Sequence, residues 1–147
     1  MGNSLEYGGW AYLNLKSSLP LSTICEHIGR SGEGRSWCKD DLNRRGQPYG
    51  FSSWKLESGL EKGEPLDAHV RALWNRVEDI RLSVIKLPDD VTRVLQCVGY
   101  FKHHSDAFAL SSGHFATAAY YRLDWDFDFY FNDGFGNEDE SKPYWEW

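Results

Sequence analysis

The sequence predicts an α+β fold. It reads as a single domain in which an antiparallel or mixed β-sheet of four to five strands carries about three helices on one face. Three observations lead there. Residues 125–131 read Trp-Asp-Phe-Asp-Phe-Tyr-Phe. Side chains alternate across a strand, so Trp125, Phe127, Phe129 and Phe131 fall on one side and Asp126, Asp128 and Tyr130 on the other. Residues 65–80 repeat with a helical period instead: Leu66, Val70, Leu73, Val77 and Ile80 form an apolar stripe that Trp74 widens. Residues 91–102 are rich in β-branched and aromatic side chains, as strands are. A sheet with one apolar face and helices with one apolar stripe bury each other as two layers.

The elements follow in order. Residues 10–16 form a first strand with Ala11, Leu13 and Leu15 inward and Tyr12, Asn14 and Lys16 outward. Pro20 suits the first turn of a helix because its missing N–H would be unpaired there. Leu21, Ile24, Cys25 and Ile28 keep helical spacing, and Gly29 is a natural stop. A polar connection spans 30–48, and a second strand spans 49–57 with Trp54 and Leu56 on one face. The chain turns through 59–63 into the long helix. Glu64 and Asp67 at its start and Arg71 and Arg76 further along match the helix dipole, and Pro88 ends any continuation through Leu82 and Ile85. The third strand covers 91–102. His103-His104-Ser105-Asp106 reads as a turn, and Phe108 with Leu110 as a short fourth strand antiparallel to the third. Ser112 is the expected cap of a third helix over 113–123, and the 125–131 strand comes last.

The length of 147 residues suits one domain over 1–147. The core is expected over about 10–131, with 132–147 as an acidic, aromatic C-terminal extension. Aromatic residues make up 16% of the chain, too many for a disordered chain and more than a small core needs. Some are therefore expected to line a surface or groove. No stretch approaches the ~20 apolar residues of a membrane span. The N-terminus lacks the basic and apolar regions of a secretory signal, and Glu6 stands where a myristoylation motif wants Ser or Thr. A cytoplasmic protein with no membrane contact is the expectation. Cys25, Cys38 and Cys97 are odd in number and widely spaced, which suggests neither a disulfide framework nor a metal motif. Cys25 and Cys97 read as buried small hydrophobes, Cys38 as a free thiol in a polar loop.

Charge is unevenly spread. The whole chain carries −6, and from Asp124 onward eight acids face Lys142 alone, so that segment carries −7 and residues 1–123 carry +1. An acidic end argues against direct nucleic-acid binding and fits a basic partner protein, or a solvated tail that maintains solubility. The 30–48 connection combines Gly32, Gly34 and Gly46 with Arg30, Arg35, Lys39, Arg44 and Arg45. It reads as an anion-binding loop or as a contact for the acidic end. His69 lies on the edge of the apolar stripe and reads as a structural histidine. His103 and His104 beside Asp106 invite a metal, but adjacent strand residues point to opposite faces, so no metal site is assigned. Asp126 and Asp128 share a strand face at ~7 Å, a separation two hydrolytic carboxylates could use. No acid, base or nucleophile partner accompanies them, and no catalytic residue or cofactor is assigned.

With these segments in place, the chain resembles the bacterial domain-of-unknown-function family numbered four-two-seven-nine. The resemblance is carried by Ala11-x-Leu13-x-Leu15, the helix start at 20–24, the Gly/Arg loop before Trp54-x-Leu56, Leu66-x-x-His69-Val70-x-x-Leu73, and the helix leading into Phe127-Asp128-Phe129-Tyr130. It spans about 10–131 and implies an α+β domain without a catalytic residue. Small bacterial proteins of this kind often accompany secreted toxins as immunity proteins. The leading expectation is therefore a small inhibitor that occludes a cognate toxin, such as a nuclease with a basic cleft. Asp126, Asp128, Asp133, Glu138, Asp139 and Glu140 would supply charge, and Tyr130, Trp145 and Trp147 aromatic anchors. The alternatives are a small-molecule-binding or enzymatic domain using the 30–48 loop, and a regulatory module. A deep polar pocket holding His69 with Arg35 or Arg45 would favour the former, a flat acidic face the inhibitor.

Overall fold

The computed structural model describes residues 7–101 and 109–131. Its four strands are β1 (Tyr7–Ser17), β2 (Ser52–Glu57), β3 (Thr92–Phe101) and β4 (Asp124–Phe131). They form one sheet in the order β2-β1-β3-β4. β1 is antiparallel to both neighbours, whereas β3 and β4 run parallel, so the sheet is mixed. The helices are α1 (Leu21–Ile28), α2 (Leu66–Val77), α3 (Arg81–Ile85) and α4 (Ser112–Tyr120). This is the α+β arrangement the hydrophobic periodicity anticipates.

The register sorts every strand residue onto one of two faces. Leu13 sits between Leu56 and Leu95, with Trp125 beyond; Ala11 sits beside Cys97 and then Phe127. This face packs against Ile24 and Ile28 of α1, Leu66, Val70, Leu73 and Val77 of α2, and Val84 of α3, all buried. Each fully buried aliphatic side chain there stabilises the fold by about 1.5–3 kcal/mol. Gly9 and Gly99, paired in register, leave room for this packing: a Cβ on Gly99 would lie 2.8 Å from the Phe129 ring. Arg93 is also buried on the helix side. Its guanidinium donates to the Val84 carbonyl (3.0 Å) and to the Leu87 carbonyl, satisfying backbone groups at the end of α3.

Several boundaries differ from the expectation. Pro20 and Pro65 sit one residue before their helices, and Gly29 closes α1 at φ 89° with its N–H on the Cys25 carbonyl. The long helix ends at Val77; a 3-10 turn (Glu78–Ile80) then leads into α3. Ser112 is the first helical residue of α4 and not its cap. Ser111 holds that position without a side-chain cap bond, and its N–H is taken by Asp67 Oδ1 of α2 at 2.9 Å. β2 begins at Ser52, because 49–51 belong to the preceding connection. Among the described residues no strand antiparallel to β3 follows it: Leu110 is irregular, and Phe108 and His103–Asp106 lie outside them. Instead the chain crosses through α4, and β4 joins β3 in parallel.

Candidate binding cleft on the open sheet face

The face of the sheet away from the helices carries Trp10, Tyr12, Asn14 and Lys16 of β1. Ser53, Lys55 and Glu57 of β2 share it, with Gln96 and Val98 of β3 and Asp126, Asp128 and Tyr130 of β4. A sheet face left open would expose these rings. The 31–51 connection prevents this by returning along the outer edge of β2 as a strap. Glu33 N–H reaches the Lys55 carbonyl (2.6 Å), and Ser36 Oγ accepts from Lys55 N–H (3.1 Å). Trp37 and Ser53 exchange both backbone bonds at 3.0 and 2.9 Å. An unpaired strand edge is thereby satisfied. The approach is close enough to require glycine at position 32, where a Cβ would stand 2.6 Å from the Lys55 carbonyl oxygen.

Beyond Trp37 the strap folds into a small loop of its own. Asn43 Oδ1 accepts from Arg45 N–H (2.8 Å) and Gln47 N–H (3.1 Å), and Asn43 N–H returns to the Gln47 carbonyl (2.7 Å). Trp37 stacks on Tyr49 with centroids 4.3 Å apart and meets Phe51 edge-on at 5.7 Å, while its Nε1–H donates to the Phe51 carbonyl. Arg35 donates to the Tyr49 hydroxyl (3.0 Å). Between strap and sheet lies an open cleft of about 780 Å³. Sheet residues Trp10, Tyr12, Lys55, Glu57, Asp128 and Tyr130 form its floor, Lys62 its end, and Arg35, Trp37, Arg44, Arg45 and Tyr49 its far wall.

Cations and rings interleave here. The Lys55 ammonium stands 4.8 Å from the Tyr12 ring centroid and 4.9 Å from that of Trp37, and Lys62 stands 5.0 Å from Trp10. Burial pushes the Lys55 ammonium below its ordinary value, and Arg35 and Lys16 add to the effect against Glu57. Tyr12 is driven the other way, to about 12, by burial and then by Asp128, Asp126, Tyr130 and Glu57. Asp128 is raised by burial and by Asp126, with Lys16 opposing, and its Oδ2 accepts from Gln96 Nε2 (2.7 Å).

Of the residues expected to contact a partner, Asp126, Asp128 and Tyr130 share the open face, and Asp128 and Tyr130 line the cleft. Asp133, Glu138, Asp139, Glu140, Trp145 and Trp147 lie outside the described residues. The cleft they line is concave and holds Arg35 and Arg45 without His69. Trp10, Tyr12, Trp37, Lys55 and Lys62 were not singled out by sequence reasoning. The available signals were the outward Trp10 and Tyr12 of an amphipathic strand and a tryptophan inside a polar loop. The aromatic face of β4 is also less covered than expected. Phe127 stays 37% exposed, in a row of Phe115, Trp125, Phe127 and Phe129 at spacings of 4.7, 5.6 and 5.6 Å, with α4 contributing Phe115 at the Trp125 end.

The histidines do other work. His69 is fully buried on the helix side, its Nδ1 2.5 Å from Ser58 Oγ, while Nε2 has no hydrogen-bond partner among the described residues. Burial pushes its titration down, against smaller upward effects of the backbone at Glu61 and Gly9 and of Glu64. Ser58 Oγ also accepts Leu60 N–H, and the pair is closed off from the cleft. Trp74 Nε1–H donates to His114 Nδ1 (2.9 Å), so the ring proton sits on Nε2 and faces Asp67 Oδ1 (2.9 Å). That arrangement ties α2 to α4 and leaves no lone pair for a base. Cys97 is fully buried, as expected, its thiol raised to about 12; Cys25 is half-buried. Cys38 is half-buried too, its thiol drawn down by the backbone at Leu21 and Asp40. Among the described residues no cluster of three potential metal ligands occurs.

Residues 31–132 match the family described as a domain of unknown function (DUF4279). The chain belongs to this family. The match confirms the resemblance read from the sequence, although residues 10–30, counted in that resemblance, precede it. It begins with the strap and ends just past β4, so every cleft residue named above except Trp10 and Tyr12 falls within it. Comparison with curated proteins and with solved structures found no match. No helix among the described residues is long and apolar enough to cross a membrane.

Proposed function

We propose that the chain is a binding protein whose working surface is the cleft between the open sheet face and the 31–51 strap. One observation carries this reading: a concave site of about 780 Å³ is walled by rings and cations from β1, β2, β4 and the strap. Rings already stacked and cations already placed lose little freedom when a ligand enters. The 30–48 Gly/Arg loop supplies most of the far wall, the role the small-molecule reading requires of it.

A second reading keeps the inhibitor, an immunity protein acting in the cytoplasm on a cognate toxin. Asp126 and Asp128 favour it. The two carboxylates lie on one exposed strand face, close enough for Asp126 to raise Asp128. A basic partner would relieve that repulsion. The two readings separate in one experiment with three baits in lysate of the source cell. They are the native chain, the cleft variant Tyr12→Ala/Lys55→Gln, and the acid-face variant Asp124→Lys/Asp126→Lys, which leaves the cleft lining unchanged. Bound proteins and small molecules are identified by mass spectrometry. A ligand kept by the acid-face variant and lost by the cleft variant supports the cleft; the reverse pattern supports the inhibitor. Equal retention on all three baits would refute both.

A further inference from the structure

The cleft has a charge opposite to that of the chain around it. Five cations line it, Arg35, Arg44, Arg45, Lys55 and Lys62, against two carboxylates, Glu57 and Asp128, although the whole chain carries −6. On the helix side and at the strap's outer edge, arginines are matched: Arg30 pairs with Asp79 (3.1 Å), Arg71 with Asp67 (2.9 Å) and Arg76 with Glu33. Among the described residues, Arg35, Arg44, Arg45 and Lys55 make no such pair. Lys55 is the centre of this cluster. It is half-buried between Tyr12 and Trp37, and Arg35 and Lys16 both bear on it. A cation held among other cations in a partly desolvated site is stabilised by whatever anion arrives.

We infer that the cleft takes a small anionic ligand with a flat ring body, its phosphate, sulfonate or carboxylate seated at Lys55 and Arg35 and its ring against Tyr12, Trp10 and Tyr130. This rests on the cleft being the working surface. The ring requirement follows from the floor, where Trp10 and Tyr12 of β1 and Tyr130 of β4 present aromatic surface. The anion requirement follows from the wall. Arg35 presents a guanidinium fork suited to an oxyanion, and its NH2 holds the Tyr49 hydroxyl, which fixes its direction. Asp128 on the floor sets the opposite limit: it would accommodate a ligand cation on the β4 side, away from Lys55 on β2.

The test compares two fluorescent probes with related ring systems. 8-Anilinonaphthalene-1-sulfonate carries an anion, and N-phenyl-1-naphthylamine does not. The natively folded chain should bind the sulfonate at least about tenfold more tightly, the scale of one charge-assisted contact. Raising salt from about 0.05 to about 0.5 M should shrink that preference. Lys55→Gln should reduce sulfonate affinity by about tenfold and leave the neutral probe unchanged. Arg35→Gln, at an exposed position, should do the same to a smaller degree, so the test does not depend on the fold tolerating a change at Lys55. Equal affinities for the two probes, or a sulfonate affinity indifferent to both variants, would overturn the anion assignment while leaving the cleft as a binding site. Binding of neither probe would overturn the ligand class altogether, and the three-bait experiment would then judge the cleft itself.

Discussion

Replacing Trp37 by Ala removes the ring on which the strap closes. Five interactions go with the indole: the stack on Tyr49 at 4.3 Å, the edge contact with Phe51 at 5.7 Å, the Nε1–H bond to the Phe51 carbonyl at 3.0 Å, the Lys55 ammonium at 4.9 Å and, more distantly, the Arg35 guanidinium at 6.0 Å. The aromatic contacts contribute about 1 kcal/mol beyond area. The hydrogen bond adds about 1 kcal/mol, the ammonium about 0.5 kcal/mol in a partly wet site, and the half-buried apolar surface about 1 kcal/mol. These contacts share atoms and are not additive, so their sum of about 3.5 kcal/mol is a ceiling. Among the described residues, the strap's backbone bonds to the sheet run along the outer edge of β2, through Glu33, Ser36, Lys39 and the reciprocal Trp37–Ser53 bonds, and Phe51 meets Lys16 of β1. The strap should therefore open without the sheet. Native-state hydrogen exchange by NMR reads this directly. The Trp37 and Ser53 amides should lose up to about a hundredfold of protection, while amides of the β1–β3 ladder change far less and Tm falls by only a few degrees. Equal acceleration of both sets would show that strap and sheet open as one body. Acceleration of neither would show that the ring stack does not hold the strap.

Two further predictions concern titration on the helix side. The folded His69 imidazole titrates below its ordinary value near 6.5 because burial opposes its charged form. The unfolded chain thus takes up the proton first, so stability is full above about 6.5 and declines on acidification below it. Urea midpoints should drop between about pH 7 and about pH 5 and flatten in His69→Gln; a slope surviving in that variant would assign it elsewhere. Asp67 is held down to about 2 by the Ser111 N–H and then by Arg71 and His114, with burial opposing. Its contribution is full above about 3.8 and is lost as pH falls toward 2. Asp67→Asn should cost about 1–2 kcal/mol at neutral pH, since it loses charged hydrogen bonds joining α4 to α2, and should remove that acid-limb dependence. An acid-unfolding curve by circular dichroism identical to the native one would contradict this.

Much of the architecture is legible in periodicity, because burial on one face leaves a direct imprint on strand and helix sequences. Leu13, Leu56 and Leu95 alternate into the core, and Leu66, Val70 and Leu73 recur on the helix side. The direction of β4 was not legible. A strand's alternation is the same whether its neighbour runs parallel or antiparallel, and only the α4 crossover decides. The role of Asp67 was equally hidden. Its position suggested a dipole partner for its own helix, whereas its carboxylate receives the backbone of Ser111, 44 residues away.

The cleft shows what whole-chain charge does not report. Net charge sums residues along the sequence, but a ligand meets only those the fold gathers. Asp126 and Asp128 belong to a segment carrying −7, and by sequence alone that dominates. In space Asp128 lines one cleft with Lys55, Arg35 and two further arginines carried by a strap that reads, in sequence, as a polar loop. Nothing in the alternation of β1 or β2 says that the loop returns. That follows from Gly32 admitting the Lys55 carbonyl, from Trp37 pairing with Ser53, and from the edge of β2 needing partners. The outward rings of Trp10 and Tyr12 were the local trace of this return. Large aromatic side chains on the exposed face of a strand are favourable when something covers them, so their presence marks a face that the rest of the chain, or a ligand, must complete.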